Sequence, residues 1–299
     1  MQTIKITKMQ GLGNDFVILD YEEYQKSGLA MDELARKLCD RHFGVGADGM
    51  IIPKLNLHPN SKNSQVRSEF NPLTKAEEKS QIDIGWFFYN SDGSTAQMCG
   101  NGMRCFAKYV YDKKLVDKKK FSVQTLAGII KPELLDDGFV KVDMGAPILQ
   151  DEKIPFCGER KLNVLDRNFE IFPVSMGNPH CIIFTEEDPL ELAQNYGPAI
   201  EKHEFFPEKT NTEFVKVLSR DEVDMRVYER GCGITLACGT GACATVVAGV
   251  LNNLTEQKVK VNLLGGSVII EWRGSEQNLS EHVFMTGRAD YSFFADYIL

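Results

Sequence analysis

Met98-Cys99-Gly100-Asn101-Gly102 and Ala237-Cys238-Gly239-Thr240-Gly241 are near copies of one another, one in each half of the chain. Each contains Cys-Gly-x-Gly, and each opens a run with helical apolar spacing. Met103, Phe106, Ala107 and Val110 follow the first, and Ala242, Cys243, Val246, Val247, Val250 and Leu251 follow the second. A cysteine at a helix N-terminus lies where the helix dipole favours a thiolate. The glycines after it let a ligand approach the backbone N–H groups, which make an anion site. Two such loops facing one another would hold a small carboxylate between two thiols. That geometry suits moving a proton from one face of a carbon to the other.

The segments around the loops repeat in order. Gly13-Asn14 and Gly177-Asn178 are turns beside strands, and each half then runs through further strands to its cysteine loop. Ile4–Met9, Val17–Leu19, Met50–Ile52 and Trp86–Tyr89 read as strands of the first half, with a helix over Met31–Arg41. Val140–Met144, Phe169–Val174, Cys181–Phe184, Phe214–Val217 and Met225–Tyr228 read as strands of the second. Asn14 lies further from Cys99 than Asn178 does from Cys238, by about the length of the polar, aperiodic stretch Leu55–Ser80. The first half is therefore read as the second with a surface insertion, and the fold as a duplicated α+β unit with its site in the cleft.

At 299 residues the chain is long enough for two domains. A hydrophobic share of 43% and a charged share of 25% describe an ordinary soluble globular protein. The net charge of −8 argues against a nucleic-acid surface. No apolar run reaches the length of a membrane span, and Met1-Gln2-Thr3-Ile4-Lys5 does not open a signal peptide. None of the eight cysteines forms Cys-x-x-Cys, so free thiols in a reducing cytoplasm are expected.

Rival motifs fail. Cys99 to Arg104 is one residue short of a phosphatase loop. Phe16 stands where a dinucleotide loop needs its third glycine. Zinc-ligand spacing and a Gly-x-Ser-x-Gly elbow are both absent from the sequence. Asn14, Asn90, Asn101, Asn178 and Asn211 fall at turns or strand edges and supply neutral donors and acceptors for a zwitterion. Glu229-Arg230 adds one charge of each sign, suited to an ammonium and a carboxylate. His180 reads equally as a polar helper or as a structural histidine, and His42 as structural.

On these residues the chain resembles the diaminopimelate epimerase family, within the cofactor-independent amino-acid racemases. The matching stretches are Gly11–Phe16, Arg41–Gly49, Asn90–Ser94 and Cys99–Cys105, then Gly177–His180, Tyr228–Gly231, Ala237–Cys243 and Met285–Gly287. Ile234, Gly49 and the insertion depart from the common pattern.

The resemblance implies two similar, pseudo-symmetric domains, each a curled, mostly antiparallel sheet around a central helix. Their expected spans are 1–143 with 288–299, and 144–287. It implies one site in the cleft, no cofactor or metal, a small-molecule substrate and a homodimer. Cys99 and Cys238 would be the two bases, assisted by His180 and Glu229. Gly100, Asn101, Gly239 and Thr240 would hold the reacting carboxylate, while Asn14, Asn90, Asn178, Asn211, Glu229 and Arg230 would contact the rest of the substrate. The implied reaction is epimerisation of LL- to meso-diaminopimelate, a step of lysine and peptidoglycan precursor synthesis. A racemase of another amino acid, such as histidine or hydroxyproline, and a thiol redox protein remain as alternatives.

Overall fold

The alternation that opens the chain becomes strand β1 (Thr3–Gly11), which buries Ile4 and Ile6 and exposes Thr3 and Lys5. The computed structural model describes residues 2–55 and 82–299. All but Leu55 of the Leu55–Ser80 insertion therefore lies outside the described residues. The chain divides into two units, Met1–Val142 with Arg288–Leu299, and Asp143–Gly287.

In the first unit β1 is followed by β2 (Asn14–Ile18), α1 (Tyr21–Ser27), α2 (Met31–Cys39), β3 (Gly49–Lys54), β4 (Ile84–Asn90) and α3 (Gly100–Asp112). Next come β5 (Val123–Thr125), β6 (Gly128–Ile130) and the hairpin of β7 (Glu133–Leu134) and β8 (Phe139–Asp143). Helix α2 buries Leu34, Ala35 and Leu38 along one stripe, with Asp32 and Glu33 in its first turn and Arg36 and Lys37 in its last, matching its dipole. In α3, Phe106 is fully buried and meets Trp86 edge-on, with ring centroids 5.5 Å apart.

The second unit runs β9 (Lys161–Val164), β10 (Arg167–Glu170), β11 (Phe172–Ser175), β12 (Pro179–Phe184), α4 (Pro189–Glu201), β13 (Asn211–Ser219) and β14 (Glu222–Glu229). It continues with β15 (Gly233–Ile234), α5 (Gly239–Leu251), β16 (Lys258–Leu263), β17 (Gly266–Trp272) and β18 (Val283–Arg288). The last strand, β19 (Asp290–Ile298), belongs to the first unit and pairs antiparallel with β1.

The Phe169–Val174 stretch divides at Ile171. β10 closes a two-stranded hairpin with β9, the Ile171 N–H bonds to Arg160 O at 2.9 Å, and β11 enters the large sheet. Sequence periodicity does not reveal α1 or α4. Asp188 nonetheless caps α4, its carboxylate accepting the N–H of Leu190 at 2.7 Å with Pro189 at the first helical position. Gly197-Pro198 inside α4 masks the pattern, and the glycine is needed there. A Cβ on Gly197 would lie 2.5 Å from that of Tyr228.

The duplication is visible in the strand pairings. Along β1-β2-β3-β4-β5-β6 the pairs are antiparallel, parallel, antiparallel, parallel, antiparallel. Along β11-β12-β13-β14-β16-β17 the same order recurs. Helix α3 follows β4, and α5 follows β14. Helix α5 is buried from Gly241 to Gly249, as expected of a helix enclosed by a curved sheet.

Truncating Phe106 to alanine is expected to destabilise the first unit by about 3–5 kcal/mol. A urea titration should show that unit unfolding at lower denaturant while the second is unmoved.

Candidate active site

Both cysteines cap their helices with sulfur. Cys99 is the N-cap of α3, with φ −143° and ψ 121°, and its Sγ accepts the Gly102 N–H at 3.4 Å. Cys238 is the N-cap of α5, with φ −114° and ψ 106°, and its Sγ accepts the Gly241 N–H at 3.3 Å. The Met103 and Ala242 N–H groups close the first turns onto Cys99 O and Cys238 O. Gly100 and Asn101, like Gly239 and Thr240, occupy the first two helical positions, whose N–H groups have no partner within a helix's own ladder.

The first half-site is neutral around the sulfur. Cys99 Sγ donates to Asn14 Oδ1 at 3.4 Å, and Asn101 Nδ2 donates to the same oxygen at 3.2 Å. Asn14 Nδ2 donates to Asp48 Oδ2 at 2.6 Å. Arg41 pairs with Asp48 at 2.7 Å and with Asp15 at 2.9 Å, and Lys8 pairs with Asp15 at 2.6 Å. Burial works to raise the Asp15 carboxyl, but Arg41 and Lys8 outweigh it and hold it below its ordinary value. Asn90 ends β4 opposite Gly49, and its amide donates to Ser94 Oγ at 3.0 Å. Arg41 and Asp48, which anchor Asn14, carry no signal of this role in the sequence.

The surroundings of Cys238 hold buried ionisable groups. His180 and Glu213 are both fully buried, and Nδ1 lies 2.7 Å from Glu213 Oε1. His180 Nε2 lies 3.1 Å from Asn178 Oδ1, Asn178 Nδ2 donates to Thr240 Oγ1 at 3.3 Å, and Thr240 Oγ1 lies 3.6 Å from Cys238 Sγ. Asn211 opens β13 opposite His180. Its amide donates to Pro179 O at 2.8 Å, and its Oδ1 accepts the Arg230 N–H at 3.0 Å. Glu229 accepts from the Thr235 hydroxyl, and Arg230, exposed, donates to Glu208 O at 3.1 Å. Sequence reasoning passes over Glu213, because Asn211-Thr212-Glu213-Phe214 reads as the start of an ordinary strand.

Helix position does not by itself make Cys238 a thiolate. Burial first, then the Glu229 and Glu213 carboxylates, push its thiol well above the ordinary value, while Thr240 and the Gly241 N–H act the other way. At neutral pH this favours the thiol. Cys39 and Cys105 are buried away from these loops, and burial pushes both up to about 12, which leaves them inert.

The model of the family described as "Diaminopimelate epimerase" matches residues 6–150 and 172–292. The chain belongs to the diaminopimelate epimerase family. It is 46% identical over 301 residues to the diaminopimelate epimerase of Desulfitobacterium hafniense, covering 97% of this chain and 96% of the relative. It is 44% identical to that of Carboxydothermus hydrogenoformans, covering 99% and 100%. In fold it is similar to a PhzF-family phenazine biosynthesis protein of Bacillus anthracis, with a TM-score of 0.69 at 16% identity and full coverage of both chains. The fold also matches a hydroxyproline epimerase of Agrobacterium vitis, with a TM-score of 0.65 at 10% identity, covering 100% of this chain and 93% of that one. Mixed α+β architecture with a repeated unit is common to this chain and the family's expected fold.

Because its thiol is raised, Cys238 should alkylate slowly at neutral pH, and its rate should still be climbing past pH 9. A free exposed thiol, with an ordinary pKa of about 8.5, levels off earlier. Iodoacetamide labelling with peptide mapping, using a small-molecule thiol as the reference, measures this.

Proposed function

We propose that this chain interconverts LL- and meso-diaminopimelate, with Cys99 and Cys238 as the two bases and without a cofactor. The observation that carries this reading is the matched pair of sulfur-capped helices, each at the same place in a repeated strand ladder. The family and its close relatives by sequence supply the substrate.

In the forward step a Cys99 thiolate takes the proton from one face of Cα. The electron pair moves into the carboxylate as an enediolate. The N–H groups of Gly100, Asn101, Gly239 and Thr240 are placed for that developing charge, which fixed donors stabilise without reorganising. The Cys238 thiol then gives its proton to the other face. The reverse step exchanges the two roles. Acid–base catalysis contributes about 10²–10⁴-fold, so the helix N-termini and the exclusion of water must supply the rest.

Diaminopimelate carries a second amino-acid centre, which needs polar contacts away from the reacting carbon. Asn14, Asn90, Asn178, Glu229 and Arg230 are proposed to make them, with Asn211 holding the Arg230 backbone. His180 and Glu229 assist at Cys238. A homodimer is part of the same reading. It is supported by edge strand β19, whose Phe293, Phe294 and Ile298 are exposed, since an uncovered apolar strand edge is a pairing surface. A cytoplasmic location is part of the same reading, supported by thiols rather than disulfides at the eight cysteines. Among the described residues no helix is long and apolar enough to cross a membrane.

Purified protein given LL-diaminopimelate should form the meso isomer without added pyridoxal phosphate and in the presence of a chelator, as read by chiral chromatography. Cys99→Ala and Cys238→Ala should each lower kcat by at least about 10²–10⁴-fold. Near-normal turnover by either variant, or a requirement for an added cofactor, would overturn the reading.

A further inference from the structure

The repeated ladder allows a position-by-position comparison of what lies beneath the two sulfur-capped helices. In the first unit Phe16 pairs with Gly49 across the parallel β2/β3 ladder. In the second His180 pairs with Asn211 across the parallel β12/β13 ladder. Phe16 stands two residues after Asn14, as His180 does after Asn178, and Ile51 stands two residues after Gly49, as Glu213 does after Asn211. The helix starts record the same equivalence. A Cβ on Gly102 would meet Phe16 and Ile51 side chains at 3.4 Å, whereas one on Gly241 would meet Glu213 Oε1 at 2.5 Å and Cys238 Sγ at 3.2 Å. The apolar pair under Cys99 is thus a buried histidine and glutamate under Cys238. The fold does not need polar groups there, since the first unit fills the same place with a ring and an aliphatic chain. A buried ion pair is generally no more stabilising than well-packed apolar residues. One Glu213 oxygen, Oε2, has no hydrogen-bond partner, and leaving such a group buried costs stability. A pair retained at that cost points to function.

The hydrogen-bond directions indicate which function. Both His180 nitrogens face oxygen acceptors, Glu213 Oε1 and Asn178 Oδ1. Asn178 spends its N–H on Thr240 Oγ1, which leaves the Thr240 hydroxyl hydrogen for Cys238 Sγ. We propose that Glu213 is a positioning residue: its carboxyl group holds the His180 ring so that Nε2–H donates to Asn178 Oδ1, and the chain His180–Asn178–Thr240 presents a hydroxyl hydrogen to the Cys238 sulfur when it is a thiolate. The ionisable pair thus lies beneath one helix start, and apolar side chains fill the equivalent place beneath the other. The inference rests on the proposed two-thiol reaction for its purpose, but its geometry can be tested without substrate.

The groups bearing on Cys238 are Glu213 from β13, Glu229 from β14, His180 from β12, and Thr240 with the Gly241 N–H from α5. Removing a nearby carboxylate and changing nothing else would make the thiolate easier to form. Removing the anchor of the donor chain would make it harder. The two effects have opposite signs.

The test is site-resolved iodoacetamide labelling of Cys238 against pH, in wild type and Glu213→Gln, with 15N spectra of histidine-labelled protein. In Glu213→Gln the Cys238 midpoint should rise by about one pH unit, a tenfold loss of thiolate at a given pH. The ring nitrogens of His180 should shift in the 15N spectrum. With diaminopimelate, kcat should fall about tenfold with KM little changed. A midpoint that falls, or one that stays put with an unaltered His180 spectrum, overturns the proposal. Should Glu213→Gln fail to fold, the double variant His180→Phe with Glu213→Ile, which copies the pair beneath Cys99, replaces it with the same expected rise in midpoint. Wild-type turnover of diaminopimelate is read separately, so failure of the reaction assignment and failure of the donor chain are distinguishable.

Discussion

A sulfur atom occupies the N-cap position of each central helix, and most of the molecule is arranged around that substitution. Ser, Thr, Asp and Asn are the usual caps because a compact oxygen satisfies an N–H of the first turn. Cysteine does so here at 3.3–3.4 Å in both helices. The cap fixes the sulfur beside the N–H groups of the first two helical residues, where negative charge is favoured. In the second unit, packing also demands the glycine three residues on. At Gly241 a single added carbon would collide with the Glu213 carboxylate and crowd the sulfur.

Around each cap the strands repeat one pattern, and the two copies have diverged in polarity. The first unit surrounds its sulfur with neutral amides held by an outer network of Asp15, Arg41, Asp48 and Lys8. The second surrounds its sulfur with buried Glu213 and His180 and half-buried Glu229. Proton transfer between two faces needs one base and one acid at any moment. The two sulfurs therefore sit in unequal surroundings, and burial raises the Cys238 thiol.

Much of this was legible in the sequence, for a physical reason. Glycine and cysteine tolerate few replacements where a backbone must approach a ligand and a sulfur must cap a helix, so both loops stand out in an unaligned chain. The turn asparagines Asn14 and Asn178 mark the same ladder position in each unit, and the strands Ile4–Met9 and Trp86–Tyr89 declare themselves by apolar content. Helix α4 was hidden by Gly197-Pro198, whose place is dictated by Tyr228 on a neighbouring strand. Glu213 was hidden because one residue in a β-run looks alike whether it faces water or lies fully buried. Nothing local in Thr212-Glu213-Phe214 reports the histidine that it meets 33 positions earlier in the chain. The dipole argument also misjudged Cys238, since the closeness of Glu213 and Glu229 that raises its thiol is created only by folding.

The central claim is that each face of the reacting carbon has its own sulfur. Turnover in D₂O tests it most directly, by following deuterium at Cα in both isomers during the first few per cent of reaction. With two bases, the newly formed isomer carries one solvent deuteron at the inverted centre, while the remaining starting isomer is still protiated. Early deuteration of both isomers at equal rates would mean that one group serves both faces and exchanges freely with solvent, and would contradict the two-thiol assignment.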